Sequence, residues 1–130
     1  MAAGISSAQA NSILDAYARQ QTYTAPAAFW VKLHTGDPGA AGTTNAATNT
    51  TRAQGTFSAA SGGSITTSAD LTWTSVSTTE TYSHVSFWSS SSAGTFLGSD
   101  DLTTARAVVA GDNFTILTGQ LTLSLTPLAA

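Results

Sequence analysis

The hydrophobic pattern changes period once along the chain. Over Ser7 to Arg19, apolar side chains at Ala10, Ile13, Leu14 and Tyr17 recur at i, i+3, i+4 and i+7, which places them on one face of a helix. Ser6 or Ser7 supplies an N-cap, and Arg19 suits the negative end of the helix dipole. The expected helix therefore spans 6–19. A helix of that length is marginal alone in water, so it must dock on its own domain or on a neighbour.

From Ala27 onward the period is two. In Phe29-Trp30-Val31-Lys32-Leu33-His34, Phe29, Val31 and Leu33 face one side while Trp30, Lys32 and His34 face the other. Thr35-Gly36-Asp37-Pro38-Gly39 breaks this strand with turn residues. Residues 40–51 carry Ala, Gly, Thr and Asn without apolar periodicity and read as a long surface loop. Further strands are expected at Ala53 to Phe57, Ser64 to Thr67, Leu71 to Trp73, Tyr82 to Trp88, Thr95 to Gly98, Ala105 to Val109, Asn113 to Leu117 and Gln120 to Thr126. The last alternates Leu121, Leu123 and Leu125 against Thr122, Ser124 and Thr126. Turns fall at Ser61-Gly62-Gly63, Ser89 to Gly94, Asp100-Asp101, Gly111-Asp112 and Gly119.

About nine short strands at roughly ten-residue spacing indicate a mainly β fold: an antiparallel β-sandwich or jelly-roll-like domain with one short N-terminal α-helix. The expectation is a single domain over 1–130, with the sandwich over 27–126 and loop 40–51 on its surface.

Charge changes this picture most. Only 8 % of the residues are charged, against about a quarter in ordinary domains. A surface so weakly charged repels other protein surfaces little, which favours assembly into an oligomer or lattice. The net charge is −3, and the basic residues Arg19, Lys32, Arg52 and Arg106 are scattered, so nucleic acid is not an expected partner. No apolar run is long enough to span a bilayer, and Met1-Ala2-Ala3-Gly4-Ile5 lacks the basic and apolar regions of a signal peptide, so no membrane contact is expected.

Candidate chemistry is sparse. Without cysteine there is neither a disulfide framework nor a thiolate. His34 with Asp37, or His84 with Glu80, offers an acid–base or metal pairing, but neither histidine sits in a spaced ligand motif. The serines lack a Gly-x-Ser-x-Gly elbow, and Asp100, Asp101 and Asp112 lack the regular spacing of a calcium loop. The expectation is no catalytic residue, no metal and no cofactor. Trp30, Trp73 and Trp88, with Tyr23 and Tyr82, suit either a core or subunit interface, or a sugar-stacking platform. The residues set apart as interface candidates are Ile13, Leu14, Tyr17, Trp30 and Trp88.

Four segments carry a family resemblance: Asn11-Ser12-Ile13-Leu14-Asp15-Ala16, Trp30 to Gly39, Thr79 to Trp88 and Val108 to Ile116. In this order they resemble a family of small virion proteins of actinobacterial and related tailed phages, whose members are labelled tail fibre, minor tail or capsid decoration protein. The resemblance implies a virion structural protein, made in the bacterial host cytoplasm, with no catalytic residues to carry over. Its leading form is a capsid decoration protein that binds and stabilises the outer shell. Its partners would be the major capsid protein and further copies of itself as a homotrimer, with α-helix 6–19 or loop 40–51 making the contact. The alternative is a tail fibre or minor tail module that touches host-surface glycan.

Overall fold

The computed structural model describes residues 4–125. Of the expected positions, Thr126, at the end of the sandwich, and the segment Met1 to Ala3 lie outside the described residues. Nine strands and one helix follow in the order β1 (Gly4–Ile5), α1 (Ser7–Arg19), β2 (Phe29–His34), β3 (Ala53–Gly55), β4 (Ser64–Thr66), β5 (Leu71–Trp73), β6 (Glu80–Trp88), β7 (Phe96–Val108), β8 (Phe114–Ile116) and β9 (Thr122–Ser124).

The fold is mainly β and sandwich-like. A five-stranded antiparallel sheet, in the order β1-β7-β6-β2-β3, forms one layer, and two ribbons, β4-β9 and β5-β8, supply the rest. The alternation of β2 decides the inner face: Val31 and Leu33 are fully buried, as are Val85 and Phe87 opposite them on β6. The ribbons contribute Leu71 and Trp73, Phe114 and Ile116, and Leu123 to the same core. Aromatic rings meet edge-on there, Phe29 with Phe57 at 5.3 Å and Tyr82 with Phe114 at 5.0 Å, an arrangement that adds to the burial itself. The Trp73 indole N–H donates to the Thr51 carbonyl at 2.9 Å, which satisfies its polar edge inside the core.

Four features depart from the sequence reading. First, Asp100-Asp101 is not a turn: β7 runs through it, joining the two strands expected at Thr95 to Gly98 and Ala105 to Val109. The Asp100 carboxylate accepts from the Asp101 and Thr122 backbone N–H groups at 2.9 and 2.8 Å, so it does inside a strand what aspartates do in turns. Pairing with β6 then jumps from His84↔Asp101 to Tyr82↔Arg106, and residues 102–105 form a bulge from which Leu102 packs against the core. Second, β1 is an added edge strand. It fits because Gly98 has no side chain: a Cβ there would lie 2.5 Å from the Gly4 carbonyl oxygen.

Third, segment 40–51 is loop, but much of it is fastened down. Gly42, Ala47 and Asn49 are buried, and the Glu80 carboxylate accepts from the Thr48 and Asn49 N–H groups at 3.0 and 3.1 Å. Gly42, at φ +73°, lies so close to the Phe96 ring that a Cβ would approach it to 2.4 Å. Fourth, the leucine alternation stops early: Leu121 and Leu123 are buried, whereas Leu125 is 53 % exposed at the rim, where its N–H donates to the Gly63 carbonyl.

Candidate functional site

The helix forms as its sequence dictates, with Ser6 in an extended conformation accepting from the Gln9 N–H and Gln20 closing the far end in the left-handed region. Its attachment is slight. Ser6 is the hook: its N–H donates to the Leu97 carbonyl at 3.0 Å and its hydroxyl to the Phe96 carbonyl at 3.2 Å, while the Tyr23 hydroxyl donates to Gln9 Oε1 at 2.7 Å. No residue of α1 is fully buried. The expected apolar face is divided: Ala10 and Ile13 are half-buried, but Leu14 is 61 % exposed and Tyr17 86 % exposed. Asp15 and Arg19 pair across the outer surface at 3.3 Å.

Two surface concavities add apolar area elsewhere. The bulge of β7 and the edge of β8 enclose a groove of about 440 Å³ lined by Leu102, Thr103, Arg106, Phe114 and Leu117. A shallower hollow of about 210 Å³, bordered by Ile5, Ile65, Leu123 and Leu125, is wholly apolar.

Trp30 and Trp88 are both half-buried and face each other across the β2–β6 ladder, on the side of the sheet away from Val31 and Phe87. The Arg52 guanidinium lies 4.8 Å from the centre of the Trp88 ring and donates through Nη1 to the Ser90 and Ala93 carbonyls at 2.7 and 2.8 Å. Trp88 also leans on Phe96 at 5.5 Å. The serine segment Ser89 to Gly94 is thereby tied to the sheet.

The histidines bond elsewhere in the fold, as structural residues do. His34 is fully buried where loop 40–51 crosses the outer face. Its Nδ1 lies 2.9 Å from the Thr44 carbonyl, which only accepts, so Nδ1 carries the proton. Nε2 then accepts from the Ser86 hydroxyl at 2.8 Å, and Ser86 Oγ in turn accepts from the Trp88 indole N–H at 2.7 Å. Burial holds the His34 pKa below its ordinary value, opposed by the Thr44 carbonyl. A serine donating to a histidine resembles the start of a nucleophilic dyad, yet both side chains are sealed from solvent. His84 accepts or donates through Nδ1 with the neighbouring Ser83 hydroxyl at 2.8 Å.

Asp112 closes its own turn by accepting from the Val109 N–H at 2.9 Å. Among the described residues, no three histidine or acidic side chains converge as a metal site would require. Burial raises the Asp100 pKa, with the Thr122 N–H opposing it. What sequence reasoning missed is Arg52, whose role depends on Ser90 and Ala93 carbonyls some forty positions away, and the groove, which depends on an unmarked bulge. No spacing signal announces either.

A family model described as Podophage GP4 fiber I protein gp80 matches residues 4–124, nearly the full described length. No curated protein matches the chain. The chain belongs to the Podophage GP4 fiber I protein gp80 family and is a phage structural protein.

Proposed function

We propose that this protein is a non-enzymatic structural subunit of the phage fibre, joined to further copies through the uncovered face of α1. The observation that carries the reading is Leu14 and Tyr17, large apolar side chains left in solvent on a helix that its own domain barely holds. The fibre description of the family supports the location. Apolar side chains exposed together on a weakly held element mark an interaction surface. A fibre grows by repeating one contact between copies, and a contact that does not close on itself produces an open filament. The sealed Ser86–His34 pair supports the absence of catalysis, because a nucleophile must meet its substrate.

A second reading is a homotrimeric decoration protein on the outer shell, with the major capsid protein as partner. The weakly charged surface favours this use equally. Of the two elements expected to grip the shell, loop 40–51 is anchored to its own domain at Thr48 and Asn49, which leaves α1 as the freer one. Immunogold labelling of intact particles distinguishes the two: label along the fibre supports the first, and label distributed over the shell refutes it.

A further inference from the structure

Among the described residues, the hydrogen bonds that join residues 4–28 to the sheet are gathered at one end. β1 pairs with β7 through Gly4↔Ser99 and Ile5↔Gly98, and Ser6 bonds the Leu97 and Phe96 carbonyls. Ile5 packs there on the edge of the core. The other end is built differently. Past α1, residues 20–28 have no regular structure and none of them is buried. Their hydrogen bonds run back into the helix: the Gln21 N–H to the Asp15 carbonyl at 3.2 Å, the Gln20 and Gln21 side-chain amides to the Ala18 and Arg19 carbonyls at 3.2 and 3.1 Å, and Tyr23 to Gln9. β1 and α1 are therefore one arm, with a lock at its tip and a tether at its base.

The lock is specific and repeatable. Gly98 leaves room for the Gly4 carbonyl, and both Ser6 bonds end on β7 carbonyls. Backbone groups and a missing side chain are the same in every copy, so a neighbouring β7 offers the arm an identical seat. Reach permits the exchange: fully extended, residues 20–28 span about 30 Å, against a radius of gyration of about 14 Å for a chain of 130 residues.

We propose that neighbouring subunits exchange their N-terminal arms, β1 and α1 of one copy docking on β7 of the next. This rests on the reading of the chain as a self-associating fibre subunit, and adds the element exchanged and its seat. Exchange replaces each bond by its counterpart, so the loss is the independence of the two chains and the gain is new contact. Leu14 and Tyr17 supply that contact. With α1 seated on one copy and tethered to another, their exposed face turns to the tethered body. Arms passed forward without reciprocation link copies into an open filament.

The chain holds no cysteine, so introduced thiols are the only ones. Gly4 and Ser99 are opposed partners, a placement within disulfide reach, and a Cβ at Gly4 meets nothing within 4 Å. Full-length Gly4→Cys and Ser99→Cys chains are mixed in urea and refolded together at a concentration where sedimentation velocity shows association. They are then oxidised and run on a non-reducing gel. Arm exchange gives a disulfide-linked heterodimer, and none when Ser99→Cys is replaced by Thr72→Cys, exposed on β5. Because φ +152° at Gly4 strains a cysteine, a second pair repeats the measurement: Ile5→Cys with Leu125→Cys, which border one hollow, bridged by a short bismaleimide. A heterodimer from one pair or both supports the exchange. Association without a heterodimer from either pair overturns arm exchange and leaves the α1 contact standing. Absence of association at every concentration overturns both.

Discussion

Replacing Leu14 and Tyr17 together with glutamine separates what α1 contributes to its own domain from what it contributes to assembly. Full burial of a side chain of this size stabilises by about 1.5–3 kcal/mol. With Leu14 61 % and Tyr17 86 % exposed, the isolated domain realises under half of that for Leu14 and a small part for Tyr17. Glutamine keeps good helix propensity. The double variant is therefore expected to lose only about 1 kcal/mol of domain stability. If a neighbouring copy covers both side chains, the contact loses about 2–4 kcal/mol, a weakening of about thirtyfold to several hundredfold. Urea unfolding followed by tryptophan fluorescence reads the first quantity, and sedimentation velocity across a concentration series reads the second. A loss of domain stability well above about 2 kcal/mol would place the helix face inside the domain's own packing. Unchanged self-association would remove α1 from the interface.

Other perturbations probe the fold beneath these surfaces. Gly42→Ala forces a left-handed backbone on alanine and drives a Cβ toward Phe96; a loss of about 2–4 kcal/mol in urea unfolding is expected, and an unchanged midpoint would contradict the packing of loop 40–51. For His34, burial lowers the folded pKa below the ordinary 6.5, so the unfolded chain takes up the proton first. Its contribution is complete above about pH 6.5 and declines as pH falls from there through the folded pKa, by at most about 1.4 kcal/mol per pH unit. Asp100, raised by burial, acts in the opposite sense at lower pH, gaining stability as it protonates. His34→Gln should flatten the slope just below pH 6.5; a slope that persists assigns it to another group. The Tyr82 hydroxyl, its pKa raised by burial, faces Asn49 and Glu80 but makes no close, well-aligned hydrogen bond, so Tyr82→Phe should change stability by less than about 1 kcal/mol. A loss above that value would reveal a bond to the hydroxyl.

Local pattern carried most of the architecture. Helix 6–19 was legible because its apolar spacing and its capping serine agree, and β2 because Val31 and Leu33 alternate with Trp30, Lys32 and His34; that His34 is also buried, under loop 40–51, left no mark in that alternation. Leu71–Trp73 came through with its boundaries intact. The failures have a common physical source, in that side chains replaced backbone partners over long separations. Asp100 carries a turn residue's chemistry into a strand by bonding Thr122, and Glu80 fixes a loop whose own sequence has no apolar signal. Edge strand β1 depends on the absence of a Cβ at Gly98, which pairing alone makes visible. Of the interface candidates, Leu14 and Tyr17 stand in solvent, Ile13 is half-buried, and Trp30 and Trp88 share one face of the sheet.

Single-particle cryo-EM of the intact phage tests the fibre assignment most directly. The account predicts density for this domain repeated along the fibre, with α1 of each copy, including Leu14 and Tyr17, buried against the next. Density for the domain confined to the outer face of the capsid, with none in the fibre, would contradict it.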